Sequence, residues 1–222
     1  MGDADAATRK YRSPLRAERA AQTRQLIVRA AGEVFAERGY ASATMTQIAR
    51  QAGVSVESVH GVGTKSALLV LAFKQRYAGE SGWRSILDEP DLLRIMSIDE
   101  TDEALAQYAA FIAAANGRSE GIWPAVRAAA IAEPQVAEQI DELIALKKQD
   151  FLQGIAWYVG RGVVDPASDT TAVAAYLYVL TSQETYDQLV HDWGYTDEAY
   201  VAWLTAAVKK LGVVGADLPP PG

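Results

Sequence analysis

The chain has 222 residues, of which 50% are apolar and none is cysteine, and its formal net charge is -7. A chain of this length can bury one or two cores without disulfides. No apolar run approaches the roughly 18 residues of a membrane-spanning helix, and the amino terminus is polar and charged rather than a secretory signal. We therefore expect a cytoplasmic protein that does not enter a membrane, which excludes the disulfide-rich secreted class.

The charge is unevenly distributed along the chain. Residues 1–65 contain ten Lys and Arg against six Asp and Glu, whereas residues 66–222 contain 11 against 22. A basic end on an acidic body is typical of a protein that presents one end to phosphates. The residues ahead of the first amphipathic helix are predicted to form a flexible basic arm over residues 1–15. The alternative is a solvated tail without a binding role, and the two are compatible.

The first predicted helix runs from Gln22 to Arg38. Its apolar residues recur at helical spacing and it ends at Gly39, so it should pack one face on the elements that follow. A second helix is predicted from Met45, because Thr44 stands at the N-cap position and Gln47, three residues later, completes a capping box.

A glycine turn separates this second helix from a third. Gly53 can adopt the left-handed conformation that ends a helix, Ser55 can cap the next one, and Val59 is its predicted buried residue. The pattern indicates a helix-turn-helix, whose second helix can enter the major groove of DNA. An ordinary helical core shares the same turn chemistry and remains the alternative.

The residues on both sides of the turn resemble the amino-terminal domain of TetR-type transcriptional regulators. The resemblance covers about fifty residues and rests on Ala30 to Tyr40, on Thr44, Thr46, Ile48, Ala49, Ala52, Gly53, Val54 and Ser55, and on Gly63, Thr64, Lys65, Ala67, Leu68 and Leu69. One departure is visible: the family usually has an aromatic pair before Gly-Thr-Lys, whereas His60, Gly61 and Val62 stand here, one residue short. Gly61 and Gly63 are therefore predicted to unwind the recognition helix early.

Several side chains of this domain are predicted to contact DNA. Lys65 and Thr64 lie at a helix N-terminus, where binding of a phosphate group is favourable. Thr44 and Thr46, at the start of the preceding helix, are predicted to contact phosphates of the other DNA strand. Val56 is a candidate reader of a thymine methyl group and Glu57 of a cytosine amino group. The complete predicted set is Arg16, Thr44, Thr46, Gln47, Ser55, Val56, Glu57, Ser58, His60 and Lys65.

The rest of the chain is predicted to be helical, giving an all-α protein of about nine helices. After a helix from Lys65 to about Gly79 comes a loop around residues 88–91 with a turn of helix on each side. The next helix is capped by Asp99 or Thr101. Pro124 fits the first turn of another helix, and Pro134 opens a long one that reaches Gly160. The last two helices are predicted from Asp169 or Thr170 to about His191, and from Thr196 to about Leu211.

Large aromatic side chains are concentrated in the middle helices and are candidates for lining a ligand pocket. The predicted ligand-binding residues are Phe73, Tyr77, Trp83, Tyr108, Phe111, Trp123, Arg127, Phe151 and Trp157. The alternative for any one of these aromatics is that it simply fills the core.

The last two helices carry apolar stripes that, packed against a second copy, would form a four-helix bundle. The predicted interface residues are Tyr176, Leu177, Leu180, Glu184, Val201, Leu204 and Val208, and the alternative is that these stripes bury against the chain's own core. The resemblance implies a two-fold dimer through these helices. Its two recognition helices would face successive major grooves of a pseudo-palindromic operator.

Taken together, the sequence predicts a ligand-responsive repressor that a small apolar or aromatic effector releases from double-stranded DNA. The predicted layout is the arm at residues 1–15, a helix-turn-helix domain at 16–65, a ligand-binding and dimerisation domain at 66–215, and a disordered tail at 216–222. No catalytic residue, metal ligand or cofactor is predicted, since His60 and His191 lack metal-ligand spacing. The alternatives are a helical protein-interaction adaptor, or an enzyme that uses the aromatic pocket.

Overall fold

The computed structural model describes the backbone of residues 3–78 and 85–211, and the side chains of residues 16–78 and 85–211. Within this part of the chain the regular elements are all helical, which confirms the all-α fold class. The α-helices are α1 (Asp3–Ser42), α2 (Met45–Ala52), α3 (Val56–Val62), α4 (Lys65–Ala78), α5 (Pro90–Met96), α6 (Thr101–Ser119), α7 (Ile122–Ala132), α8 (Pro134–Gly160), α9 (Thr170–Leu180), α10 (Gln183–Asp187) and α11 (Asp197–Lys209). A 3-10 turn (Ile86–Asp88) precedes α5, and a π-helical turn (Gln188–Asp192) follows α10.

The predicted capping residues account for most of the helix boundaries. Thr44 caps α2 in a complete capping box with Gln47, Gly53 ends that helix with φ 66°, and Ser55 caps α3. Thr196 caps α11 by accepting a hydrogen bond from the backbone N–H of Ala199. These interactions are local in sequence, which is why the pattern alone places them correctly.

One predicted helix boundary is wrong, and one region contains more helix than predicted. The helix expected to reach His191 breaks after Leu180, where Ser182 caps a new helix. Around residues 88–91, where the sequence predicts a loop with a turn of helix on each side, a 3-10 turn ends at Asp88 and α5 begins at Pro90 and continues to Met96. The additional helices α5 and α10 explain why the described residues contain eleven α-helices instead of about nine.

The amino-terminal helix is longer than predicted. The backbone of α1 is helical from Asp3, within the segment predicted as a flexible arm, and its regular geometry is interrupted at Gly39, where φ is 69°. The break at Gly39 agrees with the predicted end of the first helix. The predicted tail at residues 216–222 lies outside the described residues, as does Trp83.

The interior is divided between two apolar clusters. The head cluster combines α1, α2, α3 and α4 with α7 and the first half of α8; the body cluster combines α5, α6 and the second half of α8 with α9, α10 and α11. The helix-turn-helix therefore shares its core with α4 and α7, and α4 is placed between the helix-turn-helix and the body. None of the described helices is long and apolar enough to cross a membrane.

Candidate nucleic-acid interface and ligand cavity

The recognition helix α3 is anchored by one side and exposed on the other. Val59 is fully buried in the head cluster, while Glu57, Ser58 and His60 are exposed. Val56 is only partly exposed, because it packs against the same cluster, so part of its side chain is unavailable to a base. The exposed face can present hydrogen-bonding groups to base edges.

The expectation that Gly61 unwinds α3 is wrong. The helix continues through Gly61 to Val62, and Gly63 follows as its C-cap in an extended conformation. Val62 packs against the head cluster, and Arg24 donates to the Val62 carbonyl oxygen (3.4 Å). The apolar contact of Val62 and the guanidinium of Arg24 thus stabilise the last turn of α3. The family pattern has aromatic residues at this point.

The side chains of the capping box already bond to the backbone. The Thr44 hydroxyl accepts from the Gln47 backbone N–H (3.2 Å), and the Gln47 side-chain oxygen accepts from the Thr44 backbone N–H (2.8 Å). The Thr44 hydroxyl proton and the Gln47 amide N–H groups remain suitable donors for phosphate oxygens. Thr46 is exposed beside them in the first turn of α2.

Lys65 is held at the start of α4 by the end of α1. Its ammonium lies 4.4 Å from the centre of the Tyr40 ring and donates to the Ala41 carbonyl oxygen (3.3 Å). Since an ammonium has three N–H donors, these contacts position the group and leave donors for a phosphate. Thr64 caps α4 by accepting from the Ala67 backbone N–H (3.2 Å). Among the predicted cationic contacts, Arg16 is exposed on α1.

The exposed carboxylate of Glu57 is favoured in its charged form. Its own backbone N–H and the Ser55 hydroxyl donate to it and lower the pKa of Glu57 below its usual range, and the nearby His60 lowers that pKa further. An ionised carboxylate can accept from a cytosine amino group but repels phosphates. Glu57 therefore stays a candidate for base recognition rather than for phosphate contact.

Tyr40 also connects the end of α1 to the junction of α7 and α8. Its hydroxyl donates to the Glu133 carboxylate (2.5 Å) at the junction of α7 and α8, and its ring stacks on Phe35 at 5.9 Å between ring centroids. Burial, followed by the hydrogen bond to Glu133, raises the pKa of Tyr40, so the hydroxyl stays protonated. No sequence pattern indicates this contact, because the two residues are 93 positions apart.

A cavity of about 610 Å³, partly open to solvent, lies between α4, α5, α6 and α8. Of the predicted ligand-binding residues, Tyr77, Tyr108, Phe151 and Trp157 line it. Its other walls are mainly apolar and include Leu92, Met96 and Ile112, which sequence reasoning missed because isolated aliphatic residues carry no signal beyond core packing.

Other predicted ligand-binding residues line neighbouring spaces. Phe73 and Trp123 line a second cavity of about 460 Å³, and Phe111 lines a third of about 280 Å³; Tyr77 contributes to all three cavities. Arg127 does not line any of these cavities. Its guanidinium is exposed and pairs with Glu184 at 2.8 Å, so the expectation that it supplies a buried polar contact to a ligand is wrong.

The predicted dimer residues divide into two groups. Leu177, Leu204 and Val208 are at most 1% exposed and Leu180 is 8% exposed, because they pack in the chain's own body cluster. The prediction that these four residues form the dimer interface is therefore wrong, because they belong to the core. Tyr176, Glu184 and Val201 are partly exposed and can contact a second copy. Ala175 and Val179 of α9 and Ala202 and Ala206 of α11 are exposed as well. In residues 16–78 and 85–211, no three His, Asp or Glu side chains gather as a metal site would require.

Comparison with known proteins agrees with this geometry. Residues 27–61 match the sequence profile of the bacterial regulatory proteins of the tetR family. No curated protein matches the chain in sequence.

Solved structures share the fold over most of the chain. A Mesorhizobium loti protein assigned to the TetR-family transcriptional regulators is 18% identical with a TM-score of 0.68, over 88% of this chain and 98% of that one. The regulator FadR of Bacillus subtilis, solved with stearoyl-CoA, is 20% identical with a TM-score of 0.62, over 86% and 98%. The fatty acid degradation regulator FadR of Bacillus halodurans is 17% identical with a TM-score of 0.63, over 83% and 93%. The chain is thus similar to the tetR family of bacterial regulatory proteins over residues 27–61, and its fold is that of the solved TetR-family transcriptional regulators.

Proposed function

We propose that this protein is a cytoplasmic repressor that binds a pseudo-palindromic DNA operator as a homodimer and is released by a small, largely apolar effector. The observation that carries the proposal is the position of α4. Its first residue, Lys65, belongs to the candidate DNA-binding surface, and Tyr77 near its other end lines the cavity. A ligand that displaces Tyr77 therefore acts on the same rigid helix that carries Lys65.

The carboxyl end of α4 is fixed to the body by one side chain. The Arg118 guanidinium of α6 donates to the carbonyl oxygens of Arg76 (3.0 Å) and Tyr77 (2.9 Å). Since α6 also contributes Tyr108 and Ile112 to the cavity wall, a shift of α6 is transmitted to α4 through this contact. These bonds support a route from cavity to head that does not depend on loops.

The contact between Tyr40 and Glu133 gives a second connection, from the α7–α8 junction to the end of α1. Because the Tyr40 ring lies under the Lys65 ammonium, movement of α8 would change the position of a candidate phosphate ligand. An effector shifts the equilibrium between the DNA-bound and the released conformation only by the difference between its affinities for the two conformations. A full switch from 1:99 to 99:1 requires about 5.5 kcal/mol.

The homodimer of this proposal uses the exposed parts of α9 and α11 rather than their buried stripes. The partly exposed Tyr176, Glu184 and Val201 remain the predicted contacts, next to exposed Ala175 and Val179. Small apolar side chains allow two such helices to approach closely. The effector is expected to be apolar, which agrees with the cavity lining; the FadR of Bacillus subtilis was solved with an acyl-CoA.

The proposal is tested by selecting bound sequences from random double-stranded DNA and measuring their affinity by fluorescence anisotropy over a range of salt concentrations. We expect a two-fold related consensus and an affinity that falls steeply with salt. Replacing Lys65 with Ala should weaken binding to all sequences and lower the salt slope by about one charge. The control Lys210→Ala, directly after α11, should have no effect.

The rival functions predict different results. A helical adaptor or an enzyme with an aromatic active site would give no enriched consensus and no salt-sensitive complex. If the selection yields neither an enriched consensus nor a salt-sensitive complex, the proposed regulator function is refuted.

A further inference from the structure

The wall shared by the two larger cavities carries a lysine that has no acidic partner in the described part of the chain. Lys147 of α8 lines both cavities. Its ammonium lies 5.6 Å from the ring centre of Tyr77, 5.9 Å from that of Phe151 and 5.3 Å from that of Tyr178. Three aromatic rings from three helices thus surround the cation.

The described residues offer this ammonium ring faces but no carboxylate within 4.0 Å. Ring faces attract a cation, yet they replace water less completely than an anion does. A partly buried ammonium of this kind is therefore a favourable partner for an anionic group that enters from the cavity.

The two carboxylates that line these cavities already have their own partners. Asp150 accepts from the Ser85 hydroxyl (2.6 Å) and from the Ile86 backbone N–H (3.0 Å). Glu184 pairs with Arg127 at 2.8 Å and accepts from the Trp123 indole N–H at 3.3 Å. Both acids thus have hydrogen-bond donors on the protein, whereas Lys147 is the charged side chain of these two cavity walls that has no carboxylate partner among the described residues.

The space next to Lys147 is apolar over most of its surface. Ile86, Leu87, Leu92 and Met96 face the same cavity, so a ligand with one charged end can place its hydrocarbon part against them. We propose that the effector is an amphipathic organic anion, such as a carboxylate with an apolar chain, whose anionic group pairs with the Lys147 ammonium. This inference rests on the proposed function for its regulatory meaning, but binding itself can be measured without DNA.

The test compares three probes that share a ten-carbon chain and differ in their head group: decanoate, 1-decanol and decylamine. Their affinities for the full chain are measured by isothermal titration calorimetry at pH 7. We expect decanoate to bind about tenfold more tightly than 1-decanol, which corresponds to about 1.4 kcal/mol. The variant K147M, which keeps an apolar stem of similar length, should bind the two probes equally, and K147R should retain the preference for decanoate.

The matched control is K148M on the exposed neighbouring lysine, which should bind decanoate as the unmodified protein does. Equal binding of decanoate and 1-decanol to the unmodified protein would overturn the inference, and so would undiminished decanoate binding by K147M. A preference for decylamine would overturn it as well, by assigning recognition to Asp150. Operator affinity without any probe is measured in parallel, because its absence refutes the proposed function whatever the calorimetry gives.

Discussion

The hydrogen bond between Tyr40 and Glu133 can be tested by a double-mutant cycle. Tyr40→Phe removes the hydroxyl and keeps the ring that stacks on Phe35 and lies beneath Lys65, and Glu133→Ala removes the acceptor. The third protein carries both changes. Comparing the four free energies of unfolding isolates the contribution of this contact from the other effects of each substitution.

The exposure of Glu133 determines how much this hydrogen bond is expected to contribute to the free energy of unfolding. A hydrogen bond to a charged group contributes about 1.5–3 kcal/mol, and we take about 1 kcal/mol here because Glu133 is partly exposed to solvent. Tyr40→Phe should therefore lower the melting temperature by about 2–4 °C in a chain of this size. Urea denaturation of the four proteins followed by circular dichroism measures the coupling.

The same contact has a pH dependence with a definite sign. An unfolded tyrosine loses its proton near pH 10, while burial and Glu133 raise the pKa of Tyr40 in the folded protein. Stability from this group is thus complete below pH 10 and is lost as the pH rises above it. Tyr40→Phe should reduce that alkaline loss. A coupling free energy below about 0.5 kcal/mol, together with an unchanged alkaline profile, would refute the reasoning.

Further predictions concern backbone geometry, base recognition and transmission. Gly121→Ala should destabilise the fold by about 1–2 kcal/mol in thermal unfolding, more than Gly39→Ala, because both have positive φ but only the Cβ at Gly121 would meet the Ala36 Cβ, at 3.3 Å. Equal losses of stability in the two variants would contradict the close contact between position 121 and Ala36. Glu57→Gln should raise affinity for non-specific DNA severalfold in anisotropy assays by removing a negative charge, and unchanged affinity would place Glu57 away from phosphates. Arg118→Met should reduce the effect of a bound ligand on operator affinity; an undiminished effect would exclude this contact from the route.

The helix-turn-helix was predictable because its determinants are local. Thr44 and Gln47 cap each other, Gly53 supplies a left-handed turn, and Val59 is the apolar residue that a helix starting after Ser55 must bury. Each of these interactions joins residues a few positions apart. The sequence pattern and the structure therefore agree there.

Side-chain partners that are distant in sequence were not predictable. Arg127 was expected in a cavity, but it pairs with Glu184 on the surface, and Leu204 was expected at a dimer interface, but it fills the body cluster. An apolar stripe shows that a helix face will be buried without showing which partner buries it. Local sequence patterns thus specify most of the helices, several of their caps and the helix-turn-helix. Only the tertiary structure decided that Tyr40 reaches Glu133 and that Lys147 lies among three rings, because packing of distant helices brings these groups together.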